Sequence, residues 1–531
     1  MSAVSQKRFT KKEKSWILYD WANSVYATNI MAAIFPTIFV SIAGDLGDIW
    51  WGYGTSIATF IIALMAPFLG SIADYKGMKK KLFTGFMLLG VIATALIAMT
   101  NNWRFMLVAY VLSKIGFSGS NLFYDSFLTD VTTDERMDKV STWGYAMGYI
   151  GGSTIPFVIS IAVLMMMGYS NPIAQKFSIL ITSVWWFLFT IPFLKNVEQV
   201  HYIEKPDKIS FKNALVSVLN TAKDIAKSRG MLLFIIAYFF YIDGVGTVIS
   251  ISTAYGTALG LGATGMILAL LVTQIVAMPC SILFGKLTKK ISARKALLIA
   301  ITVYMFICLV GFYMGFSLEP HQEKYRQVFN DSKGAWEAKL DNYTFENREG
   351  AENALSNYLN SAQVALRAKD PQAFEKLEIH YPEGSQTEQN QLALIQSMLK
   401  PELLAFKENN KEIIDNFQGA IAFSTILFWA MAVLVGTVQG GIQAVSRSYF
   451  GKLVPKKRSN EYFGFFDIFG KFATVVGPLL YSLVGGITKR SSYGTLVLML
   501  LFLIGFLILL FAKKPLEELE EQRLAQKALS E

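Results

Sequence analysis

The sequence predicts an all-α membrane protein of twelve transmembrane helices, arranged in two six-helix pseudo-symmetric bundles with a small extracytoplasmic helical insert. Three observations carry that expectation. The chain of 531 residues is 53% hydrophobic and only 17% charged, a balance that soluble domains do not show. Twelve runs of about 20 mostly apolar residues follow one another, each long enough to cross a hydrocarbon layer about 30 Å thick. The connections alternate in charge: those on the side of the chain ends hold 32 Lys and Arg, the five short ones opposite hold 4.

The same composition excludes other classes. Cys280 and Cys308 sit inside apolar runs, which excludes a disulfide framework and a cysteine-rich metal site. His201, His321 and His380 lie far apart in polar stretches, so no metal site, no Ser/His or Cys/His nucleophile and no cofactor is expected, and the protein does not read as an enzyme. The net charge of +10 is scattered in small clusters between apolar runs, which reads as a topology signal toward the lipid bilayer and not as a nucleic-acid footprint.

The N-terminal bundle is assigned to 1–194, with spans at 16–42, 54–74, 82–100, 105–128, 140–167 and 176–194. Its first fourteen residues are polar and basic with no cleavage site after them, so the N-terminus is expected to stay in the cytoplasm of a cell whose inner or plasma membrane holds the protein. A cytoplasmic linker, 195–230, follows. Within it Phe211, Ala214, Leu215, Val218, Leu219, Ala222 and Ile225 repeat at helical spacing after Ser210, an N-cap candidate, with Lys212, Lys223 and Lys227 largely opposite, which describes a helix lying on the inner leaflet.

The C-terminal bundle begins with 231–317, holding spans 231–254, 264–285 and 296–316, and resumes as 418–514 with spans 419–446, 461–487 and 492–512. Between them, 318–417 carries 17 acidic against 11 basic residues. Long loops cross the membrane regardless of charge, so this insert is expected outside. Its stretches Glu346–Ala368 and Gln389–Asn409 read as helices divided by Pro371 and the Pro382-Glu-Gly-Ser turn. The tail, 515–531, is a short charged helix on the cytoplasmic side.

The two bundles copy one template. At an offset of 322 residues, Gly119, Arg136, Gly148 and Pro156 fall on Gly441, Arg458, Gly470 and Pro478; at 215, the loop from Gly70 falls on the loop from Gly285. The offsets differ by 107, close to the length of the insert, so without it the chain is two repeats of about 215 residues. Two parallel six-span halves are the architecture of major facilitator secondary transporters, with substrate near the midplane between the halves. Gly70-Ser-Ile-Ala-Asp-Tyr-Lys-Gly-Met-Lys-Lys resembles that superfamily's signature loop between spans two and three. Its small residues allow close helix approach, and Asp74 can meet a basic residue or a helix N-terminus when a gate closes. Lys79 to Lys81 fit a topological anchor as well as a gate. The gating candidates are Gly70, Asp74, Gly77, Lys79 and Lys80, together with Arg136, Arg447 and Arg458.

A narrower resemblance rests on Tyr19-Asp-Trp-Ala-Asn-Ser, Asn121-Leu-Phe-Tyr-Asp-Ser, the stretch from Glu135 through Gly152, and Gly440-Gly-Ile-Gln-Ala-Val-Ser-Arg-Ser-Tyr-Phe. These resemble the branch called Unknown Major Facilitator, related to the autophagy-linked vacuolar effluxers. The resemblance covers nearly all the chain outside the insert and implies amino acids as substrates.

An ionisable group at the centre of a span costs about 2.5 to 3.5 kcal/mol on insertion scales, so each should face a cavity or a partner. Lys114 and Asp243 both fall near mid-membrane. The superfamily's architecture implies that spans one, four, seven and ten line the cavity, which makes Asp20, Asn23, Lys114, Asn121, Asp125, Asp243, Gln439 and Gln443 the candidates for substrate or coupling ion. A cavity with an ammonium and a carboxylate suits a zwitterion. Asp243-Gly-Val-Gly combines a titratable group with residues that loosen a helix, so Asp243 is the coupling candidate; the competing reading is a static Lys114–Asp243 ion pair. Asp467 and Lys471, at i,i+4, are expected to neutralise each other as a structural pair.

The expected function is therefore secondary active transport of a small polar solute such as an amino acid, by alternating access, with the proton as coupling ion. No P-loop is present to suggest ATP. The rivals are an exporter of amphipathic drugs or solutes, and a receptor or scaffold that uses 318–417 to bind an extracellular partner.

Overall fold

The computed structural model describes residues 8–43, 47–169, 171–204, 211–261, 263–367 and 371–528. Ser210, the expected linker cap, lies outside these. Among them twelve helices are long and apolar enough to cross a membrane. The first half comprises α1 (Lys11–Ala43), α2 (Gly47–Ala73), α3 (Met78–Ala98), α4 (Trp103–Val131), α5 (Asp134–Met167) and α6 (Pro172–Asn196). The linker helix α7 (Phe211–Lys227) precedes α8 (Arg229–Ala258), α9 (Ala263–Ile291) and α10 (Ala293–Glu337). The insert holds α11 (Arg348–Arg367), α12 (Pro371–Glu375) and α13 (Gln386–Asn409), after which α14 (Lys411–Leu453), α15 (Ser459–Thr488) and α16 (Ser491–Phe511) complete the second half and α17 (Lys513–Ala528) is the last helix described.

Polar residues set the helix starts where the apolar runs begin. Thr10 and Glu13 form a capping box at α1, and the side chains of Asn102 and Asn171 accept the first backbone N–H groups of α4 and α6. The duplicated template reappears as duplicated packing: α3 on α4, α1 on α6 and α1 on α5 are matched by α10 on α14, α8 on α16 and α8 on α15. The halves meet along two lines, α2 against α15, and α5 against α9 and α14. Phe60 and Leu64 of α2, each more than 60% exposed, point away from the bundle, as side chains facing lipid do.

The insert is not hung on a flexible loop. Helices α10 and α14 run on past the bundle, at 45 and 43 residues about twice the length a bilayer needs, and α11 and α13 pack against their extensions. The span boundaries at 316 and 419 are therefore not chain breaks, because the residues beyond them, Pro320 included, keep helical geometry on a core of Tyr325, Phe329, Trp336 and Phe406. Glu319 accepts hydrogen bonds from the backbone N–H and hydroxyl of Ser492 at 2.8 and 2.5 Å, and Gln322 donates to the Ala258 carbonyl at 2.8 Å, so the insert stands on the second half.

At the opposite face, which carries both chain ends, the linker clasps the seam. Residues 202–204 run beside the α2–α3 loop, with Lys76 N–H donating to Ile203 O at 3.0 Å and Ile203 N–H to Asp74 O at 2.8 Å. The polar side of α7 turns inward, Ser217 to Glu461 at 3.2 Å and Asp224 to Arg458 at 3.1 Å, and leaves Leu215, Val216 and Leu219 outward.

Candidate transport site

A cavity of about 790 Å³, the open space at its mouth included, lies between the halves. Asp125 and Tyr145 line it from the first half; Tyr238, Gln443, Arg447 and Lys471 line it from the second. Its centre is Arg447, on α14 and 3% exposed. One guanidinium nitrogen lies 2.8 Å from Asp125 and another 3.3 Å from Asp20, while the fork is held by Ser141, whose hydroxyl and carbonyl accept at 3.0 and 3.1 Å. Aromatic faces surround the cation, Tyr145 at 4.5 Å and Trp16 at 4.7 Å from the guanidinium carbon. Asp20 also accepts from the Tyr124 hydroxyl at 2.7 Å. Sequence reading placed Arg447 with the gate; it belongs equally to the cavity.

The other cavity candidates divide. Asn23 donates to Asn121 at 2.5 Å, and Gln443 donates to the Gln439 carbonyl one turn back at 3.2 Å. Asp467 and Lys471 pair along α15, and the pair faces the cavity. The Lys114–Asp243 pair does not form. Lys114 donates to the Thr55 carbonyl of α2 at 3.2 Å, within its own half, and makes no ion pair among the described residues. Asp243 is fully buried against α15: one carboxylate oxygen accepts the Gly477 N–H at 2.9 Å and the other has no hydrogen-bond partner among the described residues. The reason is azimuthal, since equal depth in the membrane does not make two helices turn the same faces to each other.

The face that carries the chain ends is shut by polar contacts across the seam. Asp74 accepts from the Asn460 N–H at 3.0 Å, the Asn460 side-chain amide at 2.7 Å and the Glu461 N–H at 3.1 Å, and so caps the N-terminus of α15 from the other half. Gly70, one turn earlier, is required there: a Cβ would meet the Asn460 carbonyl oxygen at 2.5 Å. Gly77 opens α3 at φ +74°, a left-handed turn that glycine adopts without strain. Lys79 is wholly buried, 2.6 Å from Asp130 and 3.3 Å from the Ser459 hydroxyl of α15, so it is part of the closure and not a surface anchor. Lys80 is half-buried and makes no ion pair among the described residues. Arg136 is held by Glu13 of its own half at 2.7 Å, and Arg458 binds Glu461 and the linker's Asp224.

Three further ties were missed. Asp138 holds Lys452 and the Ser448 hydroxyl, both at 2.7 Å, Asp134 holds Lys456 at 2.9 Å, and Asp130 gathers the linker through the Val200 and His201 N–H groups at 3.0 and 2.8 Å. A signal for two ion pairs was present. Asp125 and Arg447 are separated by the same 322 residues that relate the repeats, and so are Asp134 and Lys456. Equivalent positions near a pseudo-two-fold axis face each other, and in these pairs the two copies carry opposite charge.

Two six-helix halves around a charged cavity, shut at one end by ties between the halves, define a multi-pass membrane transporter of the major facilitator class. The chain belongs to the family described as "Vacuole effluxer Atg22 like", whose profile matches residues 51–325 and 422–516 and passes over most of the insert. An uncharacterized MFS-type transporter of Bacillus subtilis (strain 168), YxiO, is 38% identical over 518 residues, 95% of each chain. Autophagy-related protein 22 of Saccharomyces cerevisiae (strain ATCC 204508 / S288c) is 32% identical over 93 residues, 17% of this chain and 18% of that one. Among solved structures, a bacterial homologue of the iron transporter ferroportin in an outward-facing state superposes with a TM-score of 0.57 at 10% identity, covering 95% of this chain and 98% of that one. FucP in an outward conformation gives 0.55 at 12% identity, with the same coverage. These likenesses show the fold; relatives of this class are transporters, not enzymes.

Proposed function

We propose that the protein carries a small zwitterion, amino acids first among them, across the cytoplasmic membrane by alternating access coupled to protons. The observation that carries this reading is Arg447 held between Asp20 and Asp125 beside the Asp467–Lys471 pair, carboxylates of the first half facing cations of the second around one open cavity. A substrate carboxylate suits the Arg447 fork, and a substrate ammonium suits Asp125. Each substrate charge replaces an internal partner of the same sign, and a zwitterion leaves the net charge of the site unchanged. Because the displaced ties join the halves, occupancy loosens the seam, which links binding to the change of access. The effluxer resemblance supports amino acids as the solute class.

Asp243 is the proton carrier in this reading. It is buried where α8 packs against α15 and has no counter-ion among the described residues, so a proton would neutralise its charge there. The bias of 32 basic residues against 4 supports chain ends in the cytoplasm, an insert outside and a structure closed toward the cytoplasm. A partner that grips the insert would move with the second half alone. The test is uptake of a mixed pool of labelled amino acids into proteoliposomes under a pH gradient, with Asp243→Asn beside the wild type. Uptake abolished both by a protonophore and by the substitution is the expected result. An absence of gradient-driven uptake by folded wild-type protein refutes the substrate class and the coupling.

A further inference from the structure

A second chamber opens beside the charged cavity. It spans about 940 Å³ with the open space at its mouth included, and every residue that lines it falls between Val248 and Leu498, so it belongs to the second half alone. Its wall is made by side chains such as Ile307, Phe428, Met431 and Leu498. Of the polar groups on it, the Thr273 hydroxyl lies 3.0 Å from the Ala269 and Ala432 carbonyls, the Tyr255 hydroxyl donates to Gly311 O at 2.7 Å, and Gln274 Oε1 has no partner among the described residues. The two spaces share a border. Ile249 lines both and is 39% exposed although it lies within α8; Gln439 faces the chamber while Gln443, one turn on, faces the charged cavity.

We propose that cavity and chamber form one amphipathic binding site, in which the charged cavity takes a zwitterionic head and the chamber takes an apolar tail longer than the side chain of an ordinary aliphatic amino acid. The head-group assignment rests on the function proposed above; the tail assignment does not. A small zwitterion confined to the charged cavity leaves the apolar wall of the chamber uncovered. Covering that wall is favourable in proportion to its area, and it is the reason a tail binds there. Head-group ties cross between the halves, whereas the tail touches one half and moves with it. Tail contacts are then alike before and after the change of access, so they strengthen binding without speeding the transition.

The test uses the full-length protein in lipid nanodiscs and a series of α-amino acids with unbranched side chains from alanine to 2-aminodecanoic acid. Free ligand is fixed by dialysis against empty nanodiscs, so that partition into lipid does not enter. Beyond the first carbons, Kd should fall about fourfold per methylene until the chamber is filled. In transport, KM should follow Kd while kcat stays constant. Ala269→Phe, inside the chamber, should abolish the dependence on length, and Thr253→Trp, at its exposed mouth, should do so without disturbing the interior. A Kd independent of length in the wild type, or a dependence unchanged in both variants, overturns the proposal. Parallel n-alkylamine and n-alkanoate series separate the two readings. Length dependence confined to one of these supports the chamber and refutes the zwitterionic head, whereas amino acids that bind without length dependence refute the chamber and leave the head group standing.

Discussion

Replacing Arg447 with Gln removes a cation that two carboxylates and a backbone carbonyl address at once. Its guanidinium is 3% exposed, 2.8 Å from Asp125 and 3.3 Å from Asp20. Gln keeps much of the stem and an amide, so packing against Trp16 and Tyr145 is largely retained, but the two carboxylates lose their counter-ion. Removing one member of a buried ionic cluster costs about 3–5 kcal/mol. The cost exists only while the seam is shut, because Asp20 and Asp125 stand on one half and Arg447 on the other, and separation of the halves at this end admits water to all three. The equilibrium between the two access states should therefore shift toward opening at the chain-end face by about two to more than three powers of ten. A cysteine at Thr142, 1% exposed on α5 and packed against Gly285 of α9, reports that opening through its rate of labelling by a polar maleimide, in a background with Cys280 and Cys308 replaced by Ser. Labelling of folded Arg447→Gln at the reference rate would refute the assignment of this cluster to the seam. Adding Asp125→Asn should recover part of the shift, because it removes one of the orphaned charges.

Since Asp125 and Arg447 are equivalent positions of the two repeats, the exchange Asp125→Arg with Arg447→Asp should lock the seam better than either single substitution, measured by the same labelling; equal or additive damage would show that the pairing does not depend on the pseudo-symmetry. Gly70→Ala places a methyl group against the Asn460 carbonyl and should raise Thr142→Cys labelling at least tenfold, whereas Gly85→Ala, with open space around it, should leave the rate unchanged. Burial pushes the Asp74 carboxyl up to about 7, outweighing Lys79 and the donors of Asn460 and Glu461, and a seam that opens returns it to water and to an ordinary value near 3.9. Closure therefore takes up a proton: its contribution is full below about pH 4 and is lost as the pH rises through 7. The distance between spin labels on the chain-end termini of α2 and α15 should lengthen between pH 5 and 8, and Asp74→Asn should remove that response.

What the sequence made legible was whatever a single helix records about itself. Length of apolar run and charge of the flanking loops are local quantities, and they yielded twelve spans and the position of the insert. Depth along a helix is also local, which is why Lys114 and Asp243 were placed near mid-membrane. Rotation about the helix axis is not, because it is decided by the neighbours: Lys114 turns to Thr55 and Asp243 to Gly477, so a pair inferred from depth alone does not exist. The gate was hidden for a related reason. Asp130, Asp134 and Asp138 read as residues of a short polar loop, and the partners that bury them, Lys79 apart, arrive from the linker or from more than 300 residues away. The symmetry supplies the missing coordinate. A repeat offset states which residues sit opposite each other across the axis, and the test of a functional pair is then that the two copies carry opposite charge and touch. Gly119 and Gly441 match because both halves need the same close packing; Asp125 and Arg447 differ because the halves must attract each other and then let go. Conserved packing positions keep the two bundles alike, and opposite charges at equivalent positions make one bundle the lock of the other.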